Sequence, residues 1–262
     1  MSVEGTRIPK PAAPGEAAVR PARTLKPKDA ATLVLVDQSG TEPRVLMGRR
    51  RASQVFLPNK YVFPGGRVDR GDRTVPTLDE LVANDRERLL FDMKGRPSAE
   101  RARALALAAI RETFEEAGLL FGVAPPAGSS DPSRKEALAA STATRQPRHA
   151  TWQRFLARGH LPTLSGLTFF ARAITPPARP RRYDTRFFLA DAARLSSAAA
   201  APDDELSDIG WFTLDEMRAL DLPNITRAVV EDLAQRLATP GRALPVPYYR
   251  YERGTFHREL IT

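Results

Sequence analysis

The chain has 262 residues, a formal charge of +9, 42% hydrophobic and 27% charged residues, and no cysteine. The length supports one large domain or a domain with insertions. Disulfides, thiolate metal sites and cysteine nucleophiles are excluded, and no apolar run is long enough to span a bilayer. The three histidines, His149, His160 and His257, lie far apart without zinc-site spacing, so each reads as a surface or packing residue. A basic balance suits anionic partners such as phosphate esters or nucleic acid, without choosing between them.

Residues 1–28 carry five prolines, six Lys/Arg and two Glu, a net charge of +4, and no apolar period. They read as a disordered basic arm. Ala17-Ala18-Val19 is too short for a secretory core, and the prolines would break a mitochondrial presequence helix. Ala31–Asp37 is a β-rich run closed by Gln38-Ser39-Gly40, and Arg44–Arg50 forms a hairpin with it. Val55–Phe63 reads as a loop and short strand, kept off a central position by Pro58 and Pro64. Phe63-Pro64-Gly65-Gly66-Arg67 then reads as a turn that brings bare backbone close to something.

A helix is expected over Leu78–Leu90, broken by Lys94-Gly95-Arg96-Pro97. Ser98 is the expected N-cap of a long helix that ends at Gly118, where a left-handed cap falls. On that helix Glu112, Glu115 and Glu116 stand at i, i+3 and i+4 and share one face. Like charges at that spacing oppose one another by roughly 0.2–0.5 kcal/mol per pair. A cation on that face reverses the sign, and hard oxygen donors without sulfur suit Mg²⁺ or Mn²⁺. The alternative is a solvated face neutralised by arginine.

Pro125 to about Thr151 is irregular, either a loop or a partly helical lid, and Trp152–Leu156 resumes helical spacing. Strands are expected over Leu167–Thr175 and Tyr183–Ala190, joined by a stiff link containing Pro176, Pro177 and Pro180. The second is dense enough in apolar residues for a central place. Arg172, Arg179, Arg181, Arg182 and Arg186 sit between and within these strands. Arg179 reads as part of a solvated turn. For Arg181, Arg182 and Arg186 the alternatives are that turn or phosphate recognition, since guanidinium matches phosphate bidentately. Ile209–Phe212 is a short strand, Thr213 caps a helix over Leu214–Leu220, and a last amphipathic helix spans Thr226–Leu237. The aromatic, basic tail over 241–262 covers the sheet, makes a homodimer contact or stacks on an adenine.

Two fragments together resemble the Nudix box, whose pattern is Gly, five residues, Glu, seven residues, then Arg-Glu-apolar-x-Glu-Glu-x-Gly-apolar. Gly66 matches the first glycine, and Asp72 stands at the first glutamate. Arg111, Glu112, Glu115, Glu116, Gly118 and Leu119 match the second half. Three departures stand out: Asp72 for Glu, Thr113 for a larger apolar residue, and a spacer from 73 to 110 that is 38 residues long. The acyl-coenzyme A diphosphatases of the Nudix family carry an insertion at the same place.

The resemblance implies an α/β/α sandwich of the α+β kind, with a mixed sheet and inserted helical or loop segments over the cleft mouth. It implies a single Nudix domain over 29–240, with insertions at about 73–97 and 125–151 and the tail outside. Glu112, Glu115, Glu116 and a backbone carbonyl near Gly65 or Gly66 would bind Mg²⁺ or Mn²⁺. Glu112 and Glu116 would be catalytic, and Glu205, with Asp204 second, would complete the metal shell from an acidic loop. Asp69 and Asp72 would act through water or orient Arg111.

The implied reaction is hydrolysis of a diphosphate linkage. The first-choice substrate is coenzyme A or an acyl ester, giving 3′,5′-ADP and (acyl-)4′-phosphopantetheine. Alternatives are ADP-ribose, NADH or a dinucleotide, RNA 5′-end processing, or a non-catalytic nucleotide- or RNA-binding module. The expected partner is a small molecule and not a membrane, with nucleic acid a secondary possibility. The Ala, Arg and Pro content suits a bacterial cytoplasmic protein.

Overall fold

The computed structural model describes residues 25–124, 149–177, 179–196, 200–252 and 254–262. Most of the arm at 1–28 and most of the second insertion therefore lie outside the described residues.

β1 (Lys28–Asp37) organises the sheet. Its residues alternate between two cores because successive strand side chains point to opposite faces. Ala31, Leu33 and Leu35 join one apolar cluster, and Val34 and Val36 join the other. This explains a run that is buried almost throughout, as expected of a strand covered on both sides. β2 (Arg44–Arg50), β3 (Tyr61–Val62) and β4 (Gly65–Arg67) follow. Later come β7 (Thr168–Ile174), β8 (Tyr183–Asp191), β9 (Leu206–Thr213), β10 (Val246–Glu252) and β11 (Thr255–Ile261).

These nine strands run in the order β11-β10-β7-β8-β1-β2-β3, with β4 also paired to β1 and β9 to β2. The sheet is mixed: β1/β8 and β7/β10 are parallel, and the remaining pairs are antiparallel. β5 (Gly122–Val123) and β6 (Leu161–Pro162) form a separate small ladder.

α1 (Ala83–Leu90), α2 (Ala99–Ala117) and α3 (Ala150–Leu156) pack on one face, where Ile110, Phe114, Trp152, Phe155 and Phe188 are buried. α4 (Leu214–Ala219) and α5 (Asn224–Leu237) cover the other with Met217, Val229, Val230 and Leu233. The architecture is the expected α/β/α sandwich with a mixed sheet.

Local signals placed several elements well. Ser98 accepts from Arg101 N at 3.2 Å, and Gly118 closes α2 at φ 70°. A Cβ at Gly118 would also stand 2.1 Å from Ala200 O, so this position needs glycine for its space as well as its backbone. Thr213 caps α4 in a capping box with Glu216. β8 sits fourth of the seven strands along the main path, as its apolar density predicts.

Four expectations need correction. The helix expected from Leu78 begins only at Ala83. Leu78 N donates to Pro162 O at 2.9 Å. The Asp79 carboxylate accepts from Leu164 N and Ser165 N at 2.5 and 2.9 Å, so this stretch is tied to the β6 turn. The Gly65-Gly66 turn is instead a short strand, with Ala31 opposite Gly66 and Thr32 opposite Gly65.

The first insertion does not merely overlie a cleft. Val75, Leu81, Leu89 and Met93 enter the α2-side core, and the carbonyls of Phe91 and Asp92 accept from Arg172 at 2.7 and 3.0 Å. Residues 241–262, expected to lie outside the domain, supply β10 and β11. Tyr248 pairs with Arg172 of β7, packs under its guanidinium at 4.4 Å and donates to Asp92 Oδ2 at 2.9 Å.

Tyr248→Ala is therefore expected to cost about 3–5 kcal/mol of stability in urea denaturation, as a buried aromatic truncation does. A loss below about 1 kcal/mol would show that the hairpin contributes little to the core.

Candidate active site

α2 and β4 bring the two motif halves together. Gly65 N donates to Glu116 Oε2 at 2.8 Å. A Cβ on Gly66 would lie 2.6 Å from the Glu112 carboxyl carbon, and one on Gly65 would lie 2.4 Å from Thr32 Oγ1. Bare backbone at Gly66 lets the Glu112 carboxylate approach β4, and at Gly65 it lets β4 lie close against β1.

Arg111 holds this arrangement. It is only 3% exposed, and each of its five N–H groups has an acceptor. Nε and Nη2 reach the two oxygens of Asp72 at 2.8 and 3.2 Å. Nη1 reaches Glu112 Oε1 and Glu115 Oε2, each at 2.8 Å, and Nη2 also reaches Arg67 O at 2.8 Å. Burial alone would weaken its hold on its proton. The bonds to Asp72 and the charges of Glu112, Asp72 and Glu115 outweigh burial and raise its pKa.

Asp72 is fully buried and also accepts Trp152 Nε1 at 2.8 Å and Asp69 N at 2.7 Å. The shorter aspartate thus reaches Arg111 directly. Asp69 does not touch Arg111; it caps a 3₁₀ turn over Arg70–Thr74 by accepting Gly71 N at 2.7 Å. Thr113, the departure at the apolar position, is buried and satisfies its hydroxyl on Ala109 O at 2.8 Å.

The glutamates are not equivalent. Burial pushes Glu112 up to about 7, against Arg111 and with help from Glu115 and Glu205. Burial, then Glu112 and Glu205, raise Glu116 well above the usual carboxylate range, with Gly65 N and Arg50 opposing. Glu115 gives one oxygen to Arg111 and the other to Thr151 Oγ1. Glu205, exposed just before β9, acts electrostatically on both Glu112 and Glu116. Asp204 pairs instead with Arg51 at 2.9 Å. Glu112, Glu116 and Glu205 are hard carboxylate donors of the kind Mg²⁺ or Mn²⁺ takes, and a cation would relieve their mutual repulsion. Among the described residues these acids do not close into a three-ligand cluster.

The arginines expected to bind substrate do not meet this cluster. Arg186 is fully buried and pairs with Asp184 at 3.0 Å and Asp29 at 3.2 Å. Arg182 bridges Thr175 O and Leu25 O at 3.0 and 2.7 Å, and Arg181 is exposed on the turn.

The residue overlooked is Arg50, at the end of β2. Its Nε donates to Phe56 O at 2.9 Å and its Nη2 to Gln54 Oε1 at 3.1 Å, within electrostatic reach of Glu116. The Arg49-Arg50-Arg51 run at a strand end was its only signal. Trp152, Thr151 and His149 were also missed. His149 Nδ1 stands 3.9 Å from Glu115.

This sandwich, with its glycine strand set against a glutamate helix, defines a Nudix fold. A family model described as the NUDT19 Nudix domain matches residues 27–221, and the chain belongs to that family of Nudix hydrolases. The acyl-coenzyme A diphosphatase NUDT19 of Xenopus laevis is 26% identical over 207 residues, covering 66% of this chain and 53% of that protein. The acyl-coenzyme A diphosphatase NUDT19 of Gallus gallus is 27% identical over 208 residues, covering 66% and 54%. The chain thus spans about half the length of the curated relatives it matches.

A crystal structure of a NUDIX hydrolase from Alicyclobacillus acidocaldarius superposes with a TM-score of 0.53 at 27% identity, covering 80% of this chain and 92% of that one. No helix among the described residues is long and apolar enough to cross a membrane. The two curated relatives are vertebrate and lend no support to the expected bacterial origin.

The raised Glu112 has a thermodynamic consequence. A carboxyl whose folded pKa exceeds its unfolded value contributes stability below the unfolded value and loses it as pH rises through the folded one. Metal-free protein is therefore expected to lose thermal stability between about pH 4.5 and about pH 7 through this group. Added Mg²⁺ or Mn²⁺ should stabilise it most above that window. Stabilisation by metal that is equal at both ends of the window in thermal melts would contradict the assignment.

Proposed function

We propose that this protein hydrolyses the diphosphate linkage of coenzyme A or an acyl-coenzyme A, in a reaction that depends on Mg²⁺ or Mn²⁺. The observation that carries the reading is the crowding of Glu112 and Glu116 against the bare Gly65-Gly66 backbone, with Glu205 adding to their repulsion and, among the described residues, no side-chain cation paired with Glu116. The substrate class is supported by the relatives' description as acyl-coenzyme A diphosphatases and by the insertion between the motif halves.

Glu112 and Glu116 are the proposed metal ligands, with Glu205 and the backbone carbonyl of Gly66 completing the set, while Glu115, expected in that set, has both oxygens engaged by Arg111 and Thr151. A divalent cation held there supplies positive charge against the diphosphate. Water attacks one phosphorus, the bridging P–O bond breaks, and two phosphomonoesters leave. Glu112 is the proposed acceptor of the attacking water's proton. Arg50 keeps three N–H groups beyond its bonds to Phe56 and Gln54, enough to grip phosphate oxygens bidentately. Arg111 is a positioning residue: its donors are all committed, so it orients Glu112 and Glu115 without touching substrate.

Glu116→Gln keeps an oxygen for Gly65 N–H and removes the charge. Turnover of acetyl-coenzyme A with Mg²⁺ is expected to fall by roughly 10²–10⁴-fold, with 3′,5′-ADP as the wild-type product by mass. Near-wild-type turnover in the variant would refute the site. AMP released from ADP-ribose or NADH, with coenzyme A untouched, would replace the substrate class and keep the chemistry. No turnover of any diphosphate would favour a binding module.

A further inference from the structure

Beside the glutamate site lies a second feature that the reaction as described does not use. A cleft of about 280 Å³ is lined by Lys28, Arg67, Arg70 and Arg73, with Asp29 and Asp69 as its acids. It is at the small end for a complete ligand and suits one group of a larger molecule.

The backbone forces its four cations together. Ala30 is opposite Arg67 across the β1/β4 ladder, so Lys28, two residues earlier in β1, is a diagonal same-face neighbour of Arg67. Arg70 and Arg73 lie at i and i+3 of the 3₁₀ turn, where side chains eclipse. Each is a like-charge pair that the fold holds close at a cost.

The neighbouring acids do not relieve this. Asp29 is bonded by Arg101 at 2.5 and 2.8 Å and by Arg186 at 3.2 Å. Burial would raise its pKa, but the two arginines lower it, so it stays ionised and committed to them. Asp69 is occupied in capping Gly71. Among the described residues, the side chains of Lys28, Arg67, Arg70 and Arg73 make no hydrogen bond or ion pair, and all four are exposed.

The cleft is also one guanidinium away from the catalytic carboxylates. Arg67 O accepts from Arg111 Nη2, and the other arm of that guanidinium holds Glu112 and Glu115. A ligand whose diphosphate lies at the glutamates has a second anionic group within reach of the cleft when that group sits on an adjoining sugar.

We infer that the cleft of Lys28, Arg67, Arg70 and Arg73 binds a phosphomonoester on the substrate's nucleoside, namely the 3′-phosphate that distinguishes coenzyme A from its dephospho form. The assignment rests on the coenzyme A reading above and deepens it. Dianionic phosphate bridges the two like-charged pairs, and arginine forks match its oxygens. The cleft thereby selects 3′-phosphorylated diphosphates over ADP-ribose or NADH, which lack that group.

Calorimetry with 3′,5′-ADP and 5′-AMP tests the site without turnover. The wild-type protein should bind 3′,5′-ADP about tenfold more tightly or better. R70E/R73E, at two exposed positions, should erase that preference and leave 5′-AMP affinity unchanged. The same variant should lower kcat/KM for coenzyme A toward that for 3′-dephospho-coenzyme A, mainly through KM.

A 3′-phosphate preference retained by R70E/R73E would place that phosphate elsewhere and overturn the inference. Equal weakening of both nucleotides would show only a general electrostatic effect and also overturn it. Wild-type turnover of coenzyme A and dephospho-coenzyme A at equal rates would remove the cleft's role and leave the reaction standing. Wild-type turnover of neither would remove the coenzyme A reading and the cleft's assignment with it.

Discussion

The site depends on one buried guanidinium. Arg111 sits in the α2-side core, where an unpaired charge would be severely destabilising. Five acceptors from four residues prevent that: Asp72 twice, Glu112, Glu115 and the carbonyl of Arg67. The same bonds set the geometry of the glutamate face. They fix β4 against α2, turn Glu115 and one oxygen of Glu112 toward Arg111, and leave Glu116 to the Gly65 N–H. Stability and function meet in one planar group.

This also explains how the motif survives a long interruption. Loop-closure cost grows slowly with length, so a 38-residue spacer is tolerated if its ends are held. Asp72 at one end and Arg111 at the other provide the hold. The insertion adds its own support, since Leu81, Leu89 and Met93 pack into the core and the Phe91 and Asp92 carbonyls receive Arg172. Trp152, from beyond the second insertion, returns to the same Asp72 oxygen that Arg111 Nε uses.

Local chemistry was readable from the chain. Ser98 and Gly118 mark the ends of α2 because capping involves only neighbouring residues. β1, β2 and β8 follow from alternation and apolar density. The glutamate face follows from helical spacing and needs no tertiary information. What escaped is non-local. β10 joins the sheet through parallel pairing with β7, which leaves no adjacent turn to announce it. Arg186 reads as an available phosphate ligand until β1 and β8 align Asp29 with Asp184 and bury Arg186 and Asp184. Arg50 is one of three consecutive arginines, and only the fold shows which one faces Glu116. The basic cleft likewise needs the β1/β4 register to bring Lys28 to Arg67.

The most direct test of this account is a double-mutant cycle joining Arg111→Met and Asp72→Asn, read as unfolding free energy and as Mn²⁺ affinity. Each single variant leaves the other member of the Arg111–Asp72 pair with an uncompensated buried charge, whereas the double variant removes both charges. The lost donors to Glu112, Glu115 and Arg67 O are common to both Arg111→Met arms and cancel in the cycle. The account predicts a coupling of roughly 2–3 kcal/mol in stability, with Mn²⁺ affinity weakened in both single variants. Additivity within about 0.5 kcal/mol, with metal affinity unchanged, would mean that the two halves of the motif are held together by something other than this bond.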